Sequence, residues 1–308
     1  MLEAAINSWE SLKLNPSLHK ALAEAGFQHP TEIQRKVIPL VLGGQAVIGV
    51  AQTGTGKTAA YILPLLKKLS HAQGNDPRAL VLVPTKELVV QIAAHAVMLA
   101  SRTDLRMVGL YGGVGPKTQI EQLQAGVDLI ISTPGRFMEL YHKEEIVVKQ
   151  IKTLVLDEAD RMLDMGFFDD IASVVRQCPK ERQTLLFSAT YPEGIARLAS
   201  QFMREPLTVK VEAQHAGGQI EQRWYEVTDG ERLHVVSRLL NHFRPDSTLA
   251  FCNTKAQCRD LAAVLKAQGF SALALFGELE QRERDQVLVQ FANRSCSVLV
   301  ATDRKSVV

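Results

Sequence analysis

The chain has 308 residues, 46% of them hydrophobic and 22% charged, which is more than one core accommodates and calls for two domains, or one and a part. A formal net charge of +2 rules out a uniformly basic surface, so any nucleic-acid site has to be a local patch. The four cysteines (178, 252, 258 and 296) show no CxxC spacing and the eight histidines no HExxH or HxH spacing, which points to free thiols in a reducing compartment and assigns these residues no metal.

The N-terminal stretch MLEAAINSWE carries acid where a signal peptide needs base. The most apolar run, residues 37–51, is interrupted by Pro39, Gly43, Gly44 and Gln45 and is too short to span a bilayer. A cytoplasmic protein with no membrane partner is expected. Six nearly continuous apolar runs follow: AVIGV (46–50), ALVLV (79–83), RMVGL (106–110), VDLIIS (127–132), KTLVL (152–156) and QTLLFS (183–188). Such runs suit parallel strands covered on both faces. Segments with helical spacing, such as 57–69 and 87–100, lie between them, so the rhythm predicts an α/β doubly wound sheet.

Around QHAGGQ (214–219) the pattern lapses into glycine and polar residues, as in a linker. A second series begins near residue 221: RWYEV, a helix over 231–242, TLAFC, a helix over 255–268, ALALF, a helix over 281–292, and SVLVA. The predicted organisation is a first α/β domain over 1–207, a linker over 208–220 and a shorter α/β domain over 221–308. With only four strands, that second sheet is expected to leave SVLVA as an unprotected edge.

AQTGTGKT (51–58) joins the strand AVIGV to a helix and resembles G-x-x-x-x-G-K-[ST], with Ala51 at the first glycine position. Through Gln52, Thr53, Gly54, Thr55 and Gly56 the backbone can curl so that its N–H groups face a polyphosphate, and the helix N-terminus adds its dipole. Lys57 places a cation at the β- and γ-phosphates, and Thr58 offers a hydroxyl to Mg²⁺. The competing reading is a glycine-rich turn with an incidental lysine. LVLDEAD (154–160) is an apolar strand ending in acids. Asp157 would hold Mg²⁺ through water and Glu158 would orient an attacking water, although acids at a helix N-terminus are also favoured by its dipole.

AQTGTGKT, DEAD, SAT (188–190), TPGR (133–136) and GFQHPTEIQ (26–34) together resemble, across essentially the whole chain, the DEAD-box RNA helicases of superfamily 2. The stretch from FCNTK to QVLVQFAN is most similar to the bacterial DbpA-like branch. The resemblance implies two RecA-like domains, with ATP, Mg²⁺ and RNA as ligands.

Within that resemblance, residues 8–36 form the adenine-recognition segment. Gln34 pairs with adenine N6 and N7, Phe27 packs on the base, and Trp9 stands where an upstream Phe is usual. Thr31-Glu-Ile-Gln34 is equally a helix capping box. Pro84, Thr85 and Lys86, then Gly112 and Gly113, then Thr133, Pro134, Gly135 and Arg136 match the RNA-backbone contacts of the first domain. Thr133-Pro134 also reads as a helix start able to face a phosphate. The family's usual PTREL followed by Ala is here Lys86 with Val89, which keeps the charge and loses the bidentate fork. Ser188 and Thr190 are implied to link the DEAD carboxylates to domain closure. In the second domain Asn253, Thr254, Gln281, Arg284 and Thr302 match RNA-facing motifs, and Thr254 with Gln257 is again a capping box.

RNA contacts of this kind position the chain with little sequence specificity. After Asp303 the sequence departs from the family pattern into RKSVV, and the two-arginine motif VI is not found. The resemblance therefore implies an incomplete second RecA-like domain and impaired hydrolysis. The alternative is an ATP- and RNA-binding fragment without turnover. A P-loop transporter subunit predicts an LSGGQ-type signature, and none is present.

Overall fold

The computed structural model describes residues 8–211, 221–228 and 230–302. Most of the predicted linker and the RKSVV stretch lie outside these residues. The chain divides into two compact units, residues 1–216 and 217–308.

The first unit opens with a 3₁₀ turn, Trp9–Leu12, and helix α1, Pro16–Glu24. Asn15 caps α1 by accepting from Leu18 N at 3.1 Å, and Pro16 fills the first helical position, where no N–H is needed. Helix α2, Glu32–Leu42, leads to strand β1, Val47–Val50. Then follow α3 (Lys57–Leu69), β2 (Ala79–Leu82), α4 (Lys86–Leu99), β3 (Met107–Leu110), α5 (Lys117–Gln124), β4 (Leu129–Ser132) and α6 (Pro134–His142). The unit closes with β5 (Thr153–Leu156), α7 (Ala159–Asp164), α8 (Phe168–Gln177), β6 (Gln183–Ser188), α9 (Glu193–Phe202) and β7 (Leu207–Lys210).

These strands form one seven-stranded parallel sheet in the order β3-β4-β2-β5-β6-β1-β7. Alternate side chains feed two cores. Val47, Val81, Leu129, Ile131, Val155, Leu185 and Phe187 pack on one face, with Tyr61, Leu63 and Ile92. Ile48, Leu80, Leu82, Ile130, Leu154, Leu156 and Leu186 pack on the other, with Phe137, Met162 and Leu198. Double-sided burial explains why six of the strands read as unbroken apolar runs. The seventh, β7, was not predicted: it pairs only with β1, and most of its residues are exposed. It also occupies the start of the expected 208–220 linker.

The second unit comprises α10 (Arg232–Phe243), β8 (Thr248–Cys252), α11 (Lys255–Ala267), β9 (Ala272–Leu275), α12 (Gln281–Ala292) and β10 (Val298–Thr302). Its parallel sheet has three strands, in the order β8-β10-β9. Two expectations are corrected here. RWYEV is not a strand: residues 221–228 are irregular and Trp224 is 81% exposed, and among the described residues no strand pairs with them. SVLVA is not an edge: β10 is central and its backbone is bonded on both sides. The core of this unit is Leu240, Cys258, Leu261, Leu265, Val298 and Val300. Leu249 and Phe251, on β8, stay exposed. Among the described residues no helix is long and apolar enough to cross a membrane.

Candidate functional site

In a parallel sheet the loops after the strands gather along one edge, which is where such folds hold ligands. Every first-domain residue singled out after β1, β2, β3, β4, β5 and β6 lies on that edge. Strand order divides them: the AQTGTGKT, DEAD and SAT loops leave the adjacent strands β1, β5 and β6, whereas PTKEL, Gly112–Gly113 and TPGR leave β2, β3 and β4.

The phosphate-type loop has the backbone that its glycines permit. Gly54 and Gly56 take φ of 82° and 92°, in the left-handed region, and Gly56 caps the N-terminus of α3. Ala51 is buried, whereas Gln52, Thr53 and Gly54 are exposed at the loop's outer surface. Thr55 Oγ1 donates to Gln52 O at 2.7 Å and ties the loop across itself. Lys57 is buried, and its ammonium donates to Ala51 O at 2.6 Å, folded back along the loop. Thr58 follows, half-buried on the first turn of α3.

Asp157 ends β5 beside this loop. Its Oδ2 accepts from Tyr61 Oη at 2.7 Å and its Oδ1 from Glu158 N at 2.9 Å. Burial pushes the carboxyl above its usual range, against the Tyr61 hydrogen bond and the nearby Lys57 charge, which favour ionisation. Glu158 sits in the left-handed region at φ 49°, and its Oε2 accepts from Arg161 at 3.0 Å. Asp160 accepts from both the N–H and the hydroxyl of Thr190, each at 2.9 Å, so the SAT and DEAD stretches are directly joined. Ser188 Oγ is buried and has no hydrogen-bond partner among the described residues.

Gln34 is buried and reaches the same loop. Its Nε2 donates to Gly56 O at 3.0 Å, while its Oε1 accepts from Thr31 N at 2.8 Å as one arm of a capping box. The amide keeps one further N–H and one further lone pair, so capping and base reading are chemically compatible. Trp9 meets Phe27 edge-on, ring centroids 6.2 Å apart, and its indole N–H donates to Phe27 O at 3.1 Å. Trp9 is thereby committed to the protein interior, and Phe27 is half-buried.

On the other half of the edge, Pro84 and Thr85 are buried, and Thr85 caps α4. Lys86 lies 5.8 Å above the Tyr111 ring. Gly112, Gly113 and Gly135 are exposed, and a Cβ at any of them would meet nothing within 4 Å. Thr133 is the N-cap of α6 and Pro134 its first residue. Arg136 points inward: it donates to Val114 O at 2.7 Å and to Gln119 Oε1 at 3.3 Å, and it pairs with Glu139 at 3.0 Å. In the second unit, Asn253 and Thr302 stand at the C-terminal ends of the paired strands β8 and β10. Thr254 caps α11, with both arms of its capping box made, and Arg284 is half-buried on α12. Tyr61, Asp160, Arg161 and Gln119 were not predicted as site residues. Asp160 and Arg161 lie in or beside the DEAD stretch, whereas the contacts of Tyr61 and Gln119 depend on folding.

A doubly wound sheet with a glycine-rich loop, a lysine and a strand-end aspartate on one edge has the form of a P-loop nucleotide-binding protein. Residues 31–198 match the DEAD/DEAH box helicase family and residues 231–305 the helicase conserved C-terminal domain. This chain belongs to the DEAD/DEAH box helicase family. It is 43% identical to the ATP-dependent RNA helicase DbpA of Escherichia coli, covering 94% of this chain and 64% of that protein. It is 38% identical to the ATP-dependent RNA helicase CshA of Limosilactobacillus reuteri, covering 96% and 59%. The chain thus spans less than two thirds of the length of these curated relatives. Among solved structures it is similar to Saccharomyces cerevisiae Dbp5 bound to RNA and ADP BeF3, with a TM-score of 0.84 and 29% identity over 96% of this chain and 76% of that one. A DEAD box protein from Methanococcus jannaschii gives a TM-score of 0.64 and 35% identity over 96% and 80%.

Proposed function

We propose that this chain is the catalytic body of a cytoplasmic ATP-dependent RNA helicase, which couples ATP binding and hydrolysis to local opening of an RNA duplex. The observation that carries this reading is the placing of Asp157 against the helix that the glycine-rich loop opens: Tyr61 of α3, one turn beyond Lys57 and Thr58, donates to Asp157 Oδ2 at 2.7 Å. Lys57 exchanges its bond to Ala51 O for phosphate oxygens, and the N–H groups of the Gly54–Thr58 turn hold the remainder of the polyphosphate. The donor set also suits a hard cation, because each Asp157 oxygen keeps a lone pair after its one hydrogen bond and Thr58 adds a hydroxyl. Asp157 and Thr58 would hold a magnesium ion there, which would supply charge neutralisation to the polyphosphate. Glu158 releases Arg161 to orient the attacking water. Gln34 reads adenine with its second N–H and lone pair, alongside Phe27. Ser188 and Thr190 connect this site to domain closure.

RNA runs over the glycine-bearing half of the edge. There Gly112, Gly113 and Gly135 let its backbone approach closely, Lys86 supplies charge, and the α6 N-terminus faces a phosphate. Arg136 acts from within by fixing the 112–114 loop. On the second unit, Asn253, Arg284 and Thr302 are the residues offered to RNA. These contacts select RNA over DNA through the 2′-hydroxyl and read little sequence.

The test is phosphate release from ATP with and without RNA, in magnesium, with Lys57→Ala as control. RNA-stimulated turnover is expected, with Lys57→Ala lowering it on the order of 10²-fold or more, the loss typical of one transition-state donor. Failure of the folded protein to bind adenine nucleotides with magnesium overturns the reading. Binding of ATP and RNA without turnover favours instead a non-catalytic clamp.

A further inference from the structure

Tyr61 is fully buried on α3, one helical turn beyond Thr58, so the two side chains share a face. A buried phenol has to find a partner for its hydroxyl. Here the partner is Asp157 Oδ2 at 2.7 Å, 96 residues further along the chain. The ring packs on Phe187, with centroids 5.1 Å apart. Phe187 directly precedes Ser188 and is pressed against β1: a Cβ on Gly49 would sit 2.6 Å from its ring carbons. A Phe at position 61 would keep this packing and bury no polar group. The hydroxyl is therefore not needed to fill the core, and its hydrogen bond runs to the candidate metal-facing carboxylate.

We infer that Tyr61 is a positioning residue for the metal-facing carboxylate: its hydroxyl fixes the rotamer of Asp157 and ties the end of β5 to α3, the helix that carries Thr58. This rests on the nucleotide site proposed above. With Glu158 N on Oδ1 and Tyr61 on Oδ2, both carboxylate oxygens are pinned and the plane of the group is set. Without the phenol, Oδ2 has no partner and the carboxylate is free to turn about its last torsion, so the cation's geometry has to be rebuilt at each binding event.

The experiment is a magnesium titration of a fluorescent, non-hydrolysable ATP analogue binding to the wild-type chain, Tyr61→Phe, Asp157→Asn and the double variant. Tyr61→Phe is expected to leave binding in EDTA within about twofold of wild type and to raise the free Mg²⁺ needed for half-maximal tightening by about tenfold, the loss of roughly one charge-assisted hydrogen bond. In the Asp157→Asn background the same change should have no further effect, since Tyr61 acts through Asp157. A Mg²⁺ requirement unchanged within about twofold, or an effect of equal size in both backgrounds, overturns the inference and leaves Tyr61 as packing.

A second measurement keeps Tyr61 in place and does not depend on the folding of Tyr61→Phe. The chain has five tyrosines, so the ¹³Cζ signal of Tyr61 is assigned by substituting the other four. It should move when Mg²⁺ is added to the nucleotide complex, and a signal that does not move counts against the inference. Loss of nucleotide binding by the wild-type protein strikes the parent reading, whereas wild-type binding with an indifferent Tyr61→Phe strikes this one alone.

Discussion

The two halves of the first sheet are anchored at opposite ends. On β1, β5 and β6 the close side-chain contacts lie at the C-terminal edge, where Phe187, Tyr61 and Asp157 stack in sequence and Asp160 holds Thr190. On β2, β3 and β4 the tightest cluster lies at the other edge. There the fully buried Asp128 accepts from Arg78 at 2.8 Å, from Arg106 Nε at 3.1 Å and from Gln73 N at 3.0 Å. At the C-terminal edge of that half, Gly112, Gly113 and Gly135 are exposed. One half is rigid where a small charged ligand is proposed to bind, and the other is open where a polymer is proposed to pass.

The largest expected effect that tests this contrast is Phe187→Ala. It should lower unfolding free energy by about 3–5 kcal/mol and weaken nucleotide binding more than RNA binding. Equal damage to both ligands would erase the distinction between the halves. Asp128→Asn should cost about 3 kcal/mol, toward the lower end for breaking a buried ion cluster because Arg106 is partly exposed. Burial pushes the Asp128 carboxyl upward, but hydrogen bonds from Arg106, Arg78 and Gln73 outweigh that and hold it below its ordinary value. Its contribution is therefore complete above the unfolded value near 3.9 and is lost as pH falls through the lower folded value. Acid-unfolding curves of the two proteins should accordingly converge below about pH 4, with nucleotide affinity near neutrality little changed.

Arg136→Ala removes the brace on the 112–114 loop. About 1–3 kcal/mol of stability should go with it, and RNA retention should fall while nucleotide affinity holds. Smallest is Gly135→Ala, inside the first turn of α6 with open space around it. It should raise stability by about 0.4–1 kcal/mol yet weaken RNA binding, because there a methyl group obstructs only the ligand. A rise in both quantities would show that nothing passes over that glycine.

The sequence reads well where burial is two-sided and poorly where pairing decides. VIGV, ALVL and TLVL announce themselves because nearly every residue is wanted inside. LTVK at 207–210 does not, since its strand character comes from docking on β1. RWYEV has strand-like composition and no partner, and nothing local marks β10 as central. The loop glycines, Lys57 and Asp157 are legible because their chemistry is bound to short spacings. The Tyr61–Asp157 bond joins residues 96 apart, and the inward turn of Arg136 depends on Val114 and Gln119 being folded beneath it.

The strand order of the second unit has a consequence for its biogenesis. Among the described strands, β8 and β9 each pair only with β10, which is synthesised after both. While the ribosome is still adding residues 276–297, two apolar ribbons wait without a ladder, and the sheet closes in one late event. Until then the backbone edges of β8 and β9 stay unpaired, which exposes the nascent unit to misassembly.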